Sequence, residues 1–98
     1  MRLTYHPEVE ADLIEAARFY EEQSPGTGAR FLDAFDAAIV NIRTFPTLWP
    51  EVETGLRCHT LKRFPFAIYY RIRDEELRVL VVKHHRRHPE HGRDRFEE

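Results

Sequence analysis

The chain has 98 residues, 42% hydrophobic and 33% charged, which is enough for one buried core and too few for two, so a multidomain enzyme is excluded. No apolar run approaches the roughly 20 residues of a membrane helix, and the opening residues lack the apolar stretch of a signal peptide, so the expectation is a cytoplasmic protein with no membrane partner. The single cysteine, Cys58, excludes an internal disulfide and a multi-cysteine zinc site, and the net charge of −2 at first argues against polyanionic partners.

Residues 2–5 (Arg-Leu-Thr-Tyr) read as a brief strand that stops at His6-Pro7. Pro7 suits a first helical turn, and Glu8, Glu10 and Asp12 complement the positive end of the helix dipole. Val9, Leu13, Ala16, Ala17 and Tyr20 then recur at three- and four-residue spacing, which predicts a helix over about 7–23 with a solvated acidic face. Ser24-Pro25-Gly26-Thr27-Gly28 breaks it and offers Thr27 as a cap for a second helix. That helix carries Phe31, Leu32, Phe35, Ala38, Ile39, Ile42 and Phe45 as one stripe and ends at Pro46, giving an antiparallel helical hairpin.

Residues 46–55 read as a surface loop whose Trp49 folds back on the core. Three strand-like segments follow, at 56–61, 66–73 and 77–83, with connections short enough to demand antiparallel neighbours. The predicted fold is α+β, in the order β-α-α-β-β-β, with the helical hairpin covering one face of a small antiparallel sheet. Two helices reverse the chain twice, so the first strand is expected to run antiparallel to the second and fourth. In the third strand Phe66, Ile68, Tyr70 and Ile72 are assigned to the core, leaving Tyr69 and Arg71 on a partly open face that Arg57 and His59 would share. Residues 1–98 form one domain, with 91–98 expected as a loose tail.

Charge is divided along the chain. Residues 1–55 carry four basic and ten acidic side chains, whereas residues 56–98 carry eleven basic and seven acidic ones. The densest run is Lys83-His84-His85-Arg86-Arg87-His88-Pro89-Glu90-His91, just after the last strand. With Arg57, Lys62, Arg63 and Arg71 it forms a candidate target-binding set: Arg57, Lys62, Arg63, Arg71, Lys83, His85, Arg86, Arg87 and His88. Such a set suits an acidic or phosphate-bearing partner, while the plainer account is a solvated strand end. The histidines also suggest a metal, but no cysteine or carboxylate pair completes a ligand set and Arg86-Arg87 would repel a cation, so neither metal nor cofactor is expected. A metal-free ribonuclease would need a base, phosphate-holding cations and an acid. His85 or His88 would serve as acid or base, with Arg57, Lys62, Arg63 and Arg86 as the cations; the plainer reading of His85 is a strand-end histidine bonded to nearby backbone.

Several blocks resemble the RelE/ParE superfamily of bacterial toxins, closer to the ParE branch. They are His6-Pro7-Glu8-Val9-Glu10-Ala11-Asp12-Leu13, Ala17-Arg18-Phe19-Tyr20-Glu21-Glu22, the helix start Gly28-Ala29-Arg30-Phe31-Leu32-Asp33-Ala34, the stretch 61–71 (Leu-Lys-Arg-Phe-Pro-Phe-Ala-Ile-Tyr-Tyr-Arg), and 82–89 (Val-Lys-His-His-Arg-Arg-His-Pro). The resemblance covers residues 3–89. It implies the toxin of a type II toxin–antitoxin module, neutralised by a small cognate antitoxin that also binds promoter DNA. RelE-like members cut messenger RNA on the ribosome, and Arg57 with His85-Arg86-Arg87 matches them. Their third-strand arginine, however, aligns with Ala67, and their terminal tyrosine is missing. The Phe-Pro-Phe block and the His-Arg-Arg-His-Pro ending look more like ParE, which inhibits DNA gyrase without catalysis of its own. A gyrase inhibitor is therefore the leading expectation. The alternatives are a ribosome-dependent mRNA endonuclease built on His85, Arg57 and Arg86, and a diverged, non-toxic binding module.

Overall fold

A computed structural model describes residues 1–97. The elements run β1 (Arg2–Tyr5), α1 (Val9–Gln23), α2 (Thr27–Thr44), β2 (Glu51–Glu53), β3 (Leu56–Thr60), β4 (Phe66–Arg73), β5 (Glu76–His84) and a 3-10 helix (Arg93–Glu97). The five strands form one sheet in the order β1-β5-β4-β3-β2. All neighbours are antiparallel except β1 and β5, which are parallel with Leu3 opposite Leu77 and Tyr5 opposite Val79. This corrects the expected antiparallel first strand. The three residues of β2, read from sequence as loop, pair with β3 and add one further reversal after α2. That reversal flips the direction of every later strand relative to β1.

Both helices close on the sheet through most of the predicted stripes, but Leu32 and Phe45, assigned to the α2 stripe, are exposed. Val9 and Ala16 of α1, with Phe31, Phe35, Ala38, Ile39 and Ile42 of α2, pack against Leu61, Phe66, Ile68, Tyr70, Leu77, Val79 and Val82. Tyr20, Phe31, Phe64 and Phe66 form an aromatic knot at one end of this layer, with ring centroids 4.9–6.1 Å apart. The hairpin between the helices is joined by Glu21 rather than by the expected Thr27 cap. The Glu21 carboxylate accepts the Gly26 and Gly28 N–H groups at 3.0–3.1 Å, serving two of the otherwise orphaned donors at the α2 start. Gly28 is required there, since a Cβ would stand 2.7 Å from the Ala17 carbonyl oxygen.

The β4–β5 ladder slips at Tyr69/Tyr70, which face Val81 and Val79, so Leu80 is the extra residue of a β-bulge. Val79 and Val82 face the helices, whereas Leu80 and Val81 enter a smaller cluster with Leu56, Tyr69 and Phe96 on the opposite face. That second face is not open as expected. The 3-10 helix covers it, and within residues 91–98, read as a loose tail, Arg95 is buried at 5% exposure; Glu98 lies outside the described residues.

Candidate functional site

The β3–β4 turn is closed by the Leu61 N–H to Phe66 carbonyl bond at 2.9 Å and tightened by Phe66 N–H to Phe64 O at 2.8 Å. Arg63 adopts φ 71°, a left-handed conformation that costs a non-glycine residue energy and is common where a side chain must be aimed. Lys62 and Arg63 are exposed at its tip. Beside it, Phe66 pairs with His84, and the His85 N–H donates to Pro65 O at 2.8 Å, tying the exit of β5 to this turn. The structure thus gathers Lys62, Arg63, His85, Arg86, Arg87 and His88 at one end of the sheet, all exposed. Within the segments 61–65 and 84–88 there is no acidic residue. Arg87 is partly countered, by Glu15 at 3.1 Å.

The exit loop is shaped by its own imidazoles. His84 Nδ1 accepts the Arg86 N–H at 2.9 Å, and His88 Nδ1 accepts the Glu90 N–H at 3.0 Å. Those nitrogens are engaged in the backbone turn. The side chains of His85 and Arg86 project into solvent. Among the described residues no group of three or more His, Cys, Asp or Glu side chains comes together as metal ligands.

Three members of the sequence-derived set lie elsewhere. Arg57 pairs with Tyr70, and His59 with Ile68, so both share the helix-side face rather than the face of Tyr69, where Cys58 sits instead. The Arg57 guanidinium donates to Thr47 O at 3.0 Å and Trp49 O at 2.6 Å, pinning the loop that leads into β2. Four ladder positions separate its partner Tyr70 from Phe66, about 13 Å along the strand. Arg71, 8% exposed, donates to Phe96 O at 2.7 Å. Lys83, 9% exposed, donates to Pro89 O and His91 O at 3.2 and 3.1 Å and lies 5.2 Å over the Tyr69 ring; burial is the main cause that lowers its pKa. These two cations hold the C-terminal segment. Burial pushes the Cys58 thiol up, which disfavours a thiolate nucleophile.

Trp49 packs against the core margin, as expected, with its ring 3.9 Å from that of His59 and its buried Nε1 without an acceptor among the described residues. Burial lowers the His59 pKa below its ordinary 6.5. As pH falls the unfolded chain takes this proton first, so the contribution to stability is present above the ordinary value and is lost as pH drops through the folded one. Quenching of Trp49 fluorescence by the protonated imidazole is therefore expected with a midpoint below 6.5. A midpoint at or above that value in a fluorescence titration would show His59 to be solvated. Two grooves flank the basic end. One, of about 690 Å³, runs between α2 and β3 past Ala37, Asn41, Lys62 and Arg63; the other, of about 290 Å³, lies between α1 and β5 past Phe19, Val82 and Arg87.

Residues 3–89 match the family model described as the ParE toxin of the type II toxin–antitoxin system parDE. Over 89 residues the chain is 32% identical to Toxin ParE2 from two Mycobacterium tuberculosis strains, CDC 1551 / Oshkosh and ATCC 25618 / H37Rv, covering 90% of this chain and 85% of each relative. The fold is similar to a solved structure titled "Chromosomal ParDE TA system from P. aeruginosa", with a TM-score of 0.69 and 20% identity over 86% of this chain and 95% of that one. With the helical hairpin on a mixed sheet and a match spanning both the first strand and the basic exit loop, the chain belongs to the ParE toxin family of type II toxin–antitoxin systems.

Proposed function

We propose that this ParE-family toxin acts in the cytoplasm by inhibiting DNA gyrase through the basic end of its sheet, until a small cognate antitoxin covers it. Membership of a toxin–antitoxin family implies that antitoxin partner, and promoter DNA would be reached only through it. The observation that carries the reading is the joining of Lys62 and Arg63 to His85, Arg86, Arg87 and His88 by the His85–Pro65 bond, which makes a surface for electrostatic docking. Acid–base cleavage of RNA asks for groups within hydrogen-bond reach of one phosphate. Arg57 is spent on the Thr47 and Trp49 carbonyls, and Ala67 supplies no charge where the nuclease branch has arginine, so a binding role fits better than a catalytic one.

Purified toxin should inhibit gyrase supercoiling and leave messenger RNA intact in a reconstituted translation reaction. Codon-linked cuts with gyrase unaffected would overturn this, and loss of those cuts in His85→Ala would then assign the nuclease. The paired change Arg86→Ala/Arg87→Ala is expected to raise the half-maximal inhibitory concentration roughly tenfold, equivalent to about 1.4 kcal/mol. Its effect on stability should be small, because the Arg87–Glu15 pair is exposed. A dose–response curve in the supercoiling assay, alongside urea melts, checks both parts.

A further inference from the structure

A five-residue 3-10 helix has too few hydrogen bonds to hold itself in place, so the docking of Arg93–Glu97 must come from outside it. Its anchor is Arg95. The guanidinium meets Asp12 of α1 in bidentate fashion, Nη1 to Oδ2 at 2.7 Å and Nη2 to Oδ1 at 3.1 Å. Nη1 also donates to Leu80 O at 3.1 Å, the carbonyl of the bulge residue, and Nε lies 3.7 Å from Glu8 Oε2. Asp12 Oδ2 in turn accepts the Val82 N–H at 3.1 Å, on the edge of β5 beyond the end of β1. One salt bridge therefore joins α1, the bulged β5 edge and the C-terminal segment.

The remaining contacts of that segment point the same way. Lys83 holds the Pro89 and His91 carbonyls, Arg71 holds the Phe96 carbonyl, and the Phe96 ring packs 5.8 Å from that of Tyr69. Gly92, at φ 77°, lies so close to Val81 that a Cβ would stand 2.8 Å from its Cγ2. Upstream, the His85–Pro65 bond fixes the start of the exit loop. Residues 85–88, which carry the exposed cations, are bracketed between these two attachments. A buried ion pair is weak evidence for stability, since an apolar pair of similar volume often serves as well, and its best-supported use is to select one geometry.

We propose that Asp12 and Arg95 are positioning residues: together they latch the far end of the basic exit loop, so that Arg86 and its neighbours meet the toxin's target already ordered. This rests on the reading of that loop as the contact surface. Pre-ordering removes the entropy cost of fixing the loop on binding.

The test uses the full chain with Asp12→Asn/Arg95→Met, which removes both charges together, and Arg95→Lys, which keeps a cation. Amide exchange is followed at Arg87 and His91, whose N–H groups bond to the His84 and His88 carbonyls, and gyrase inhibition is measured in parallel. In the double variant exchange at these two amides should quicken by roughly tenfold or more, while β4 core amides stay within about threefold. The inhibitory concentration should rise roughly tenfold, with most of the loss recovered in Arg95→Lys. In an Arg86→Ala/Arg87→Ala background the latch variant should cause little further loss, because the latch acts through those side chains. Unchanged loop exchange, a loosened loop with unchanged inhibition, or fully additive losses would each overturn the proposal. If the unaltered toxin does not inhibit gyrase, that target reading fails, and the exchange measurement still decides whether the latch orders the loop.

Discussion

Phe31→Ala is expected to cost about 3–5 kcal/mol, the range for deleting a buried aromatic ring from a core that cannot collapse around the gap. Phe31 is 0% exposed, and its ring lies 5.6, 5.4 and 4.9 Å from those of Tyr20, Phe64 and Phe66. These are the contacts through which α2 grips both α1 and the entry to β4. Each edge-to-face or offset pair adds about 0.5–1.5 kcal/mol beyond the area buried, so the loss should fall toward the upper end of the range. For a domain of this length the change corresponds to a melting temperature lower by very roughly 15–30 °C. Thermal and urea melts measure it directly, and a cost below about 1.5 kcal/mol would mean that the aromatic layer repacks. Because Phe64 and Phe66 flank the turn that carries Lys62 and Arg63, loosening this layer should also disturb the candidate surface.

The second large effect is alkaline. Tyr70 is 0% exposed and donates its hydroxyl proton to Pro46 O at 2.7 Å. Burial pushes its pKa up to about 12, against a smaller lowering by Arg57. The ordinary value is 10.0, so as pH rises past it the unfolded chain loses this proton while the folded one keeps it. Stability from this group is complete below pH about 10 and is lost as pH climbs to about 12, a change of about 2–3 kcal/mol. Urea melts across that window measure the decline, and Tyr70→Phe separates it from the other tyrosines whose pKa values are raised, Tyr5, Tyr20 and Tyr69. The variant should lose about 1 kcal/mol at neutral pH through the missing hydrogen bond and show a shallower alkaline decline. An equally steep decline in both proteins would place the shift elsewhere. Tyr70 and Arg57 together hold the loop before β2, so the same window should expose that edge of the sheet to amide exchange.

The helices were legible because each buries one stripe, and the period of that stripe does not depend on what it packs against. The β3–β4–β5 meander was legible because its connections are short. The side of β3 was not. Leu56 and Cys58 alternate with Arg57 and His59 as read, but a second apolar cluster of Leu56, Leu80, Val81, Tyr69 and Phe96 occupies the far face. Alternation separates two faces without saying which one the helices cover. The bulge at Leu80 was hidden for a related reason, since Val79, Leu80, Val81 and Val82 are all aliphatic and carry no mark of a slip. Within the candidate surface, Lys62, Arg63 and residues 85–88 were placed together because both segments end strands of adjacent hairpins. That Arg71 and Lys83 donate to carbonyls of the C-terminal segment was not legible, because a cation's residue type does not tell whether its donors meet solvent or carbonyls.

By itself, the amino-acid sequence determined the two helices, the run of three antiparallel strands, the acidic and basic halves, and a ParE-like order of motifs, all of which depend on local spacing and composition. Tertiary structure alone decided that β1 runs parallel to β5, because a three-residue strand with two glutamates adds the missing reversal. It alone decided that Asp12 and Arg95, 83 positions apart, close on each other and turn an expected tail into a docked segment. Contacts of that separation leave no periodic trace in the chain, since nothing about either residue is unusual until folding removes water from both.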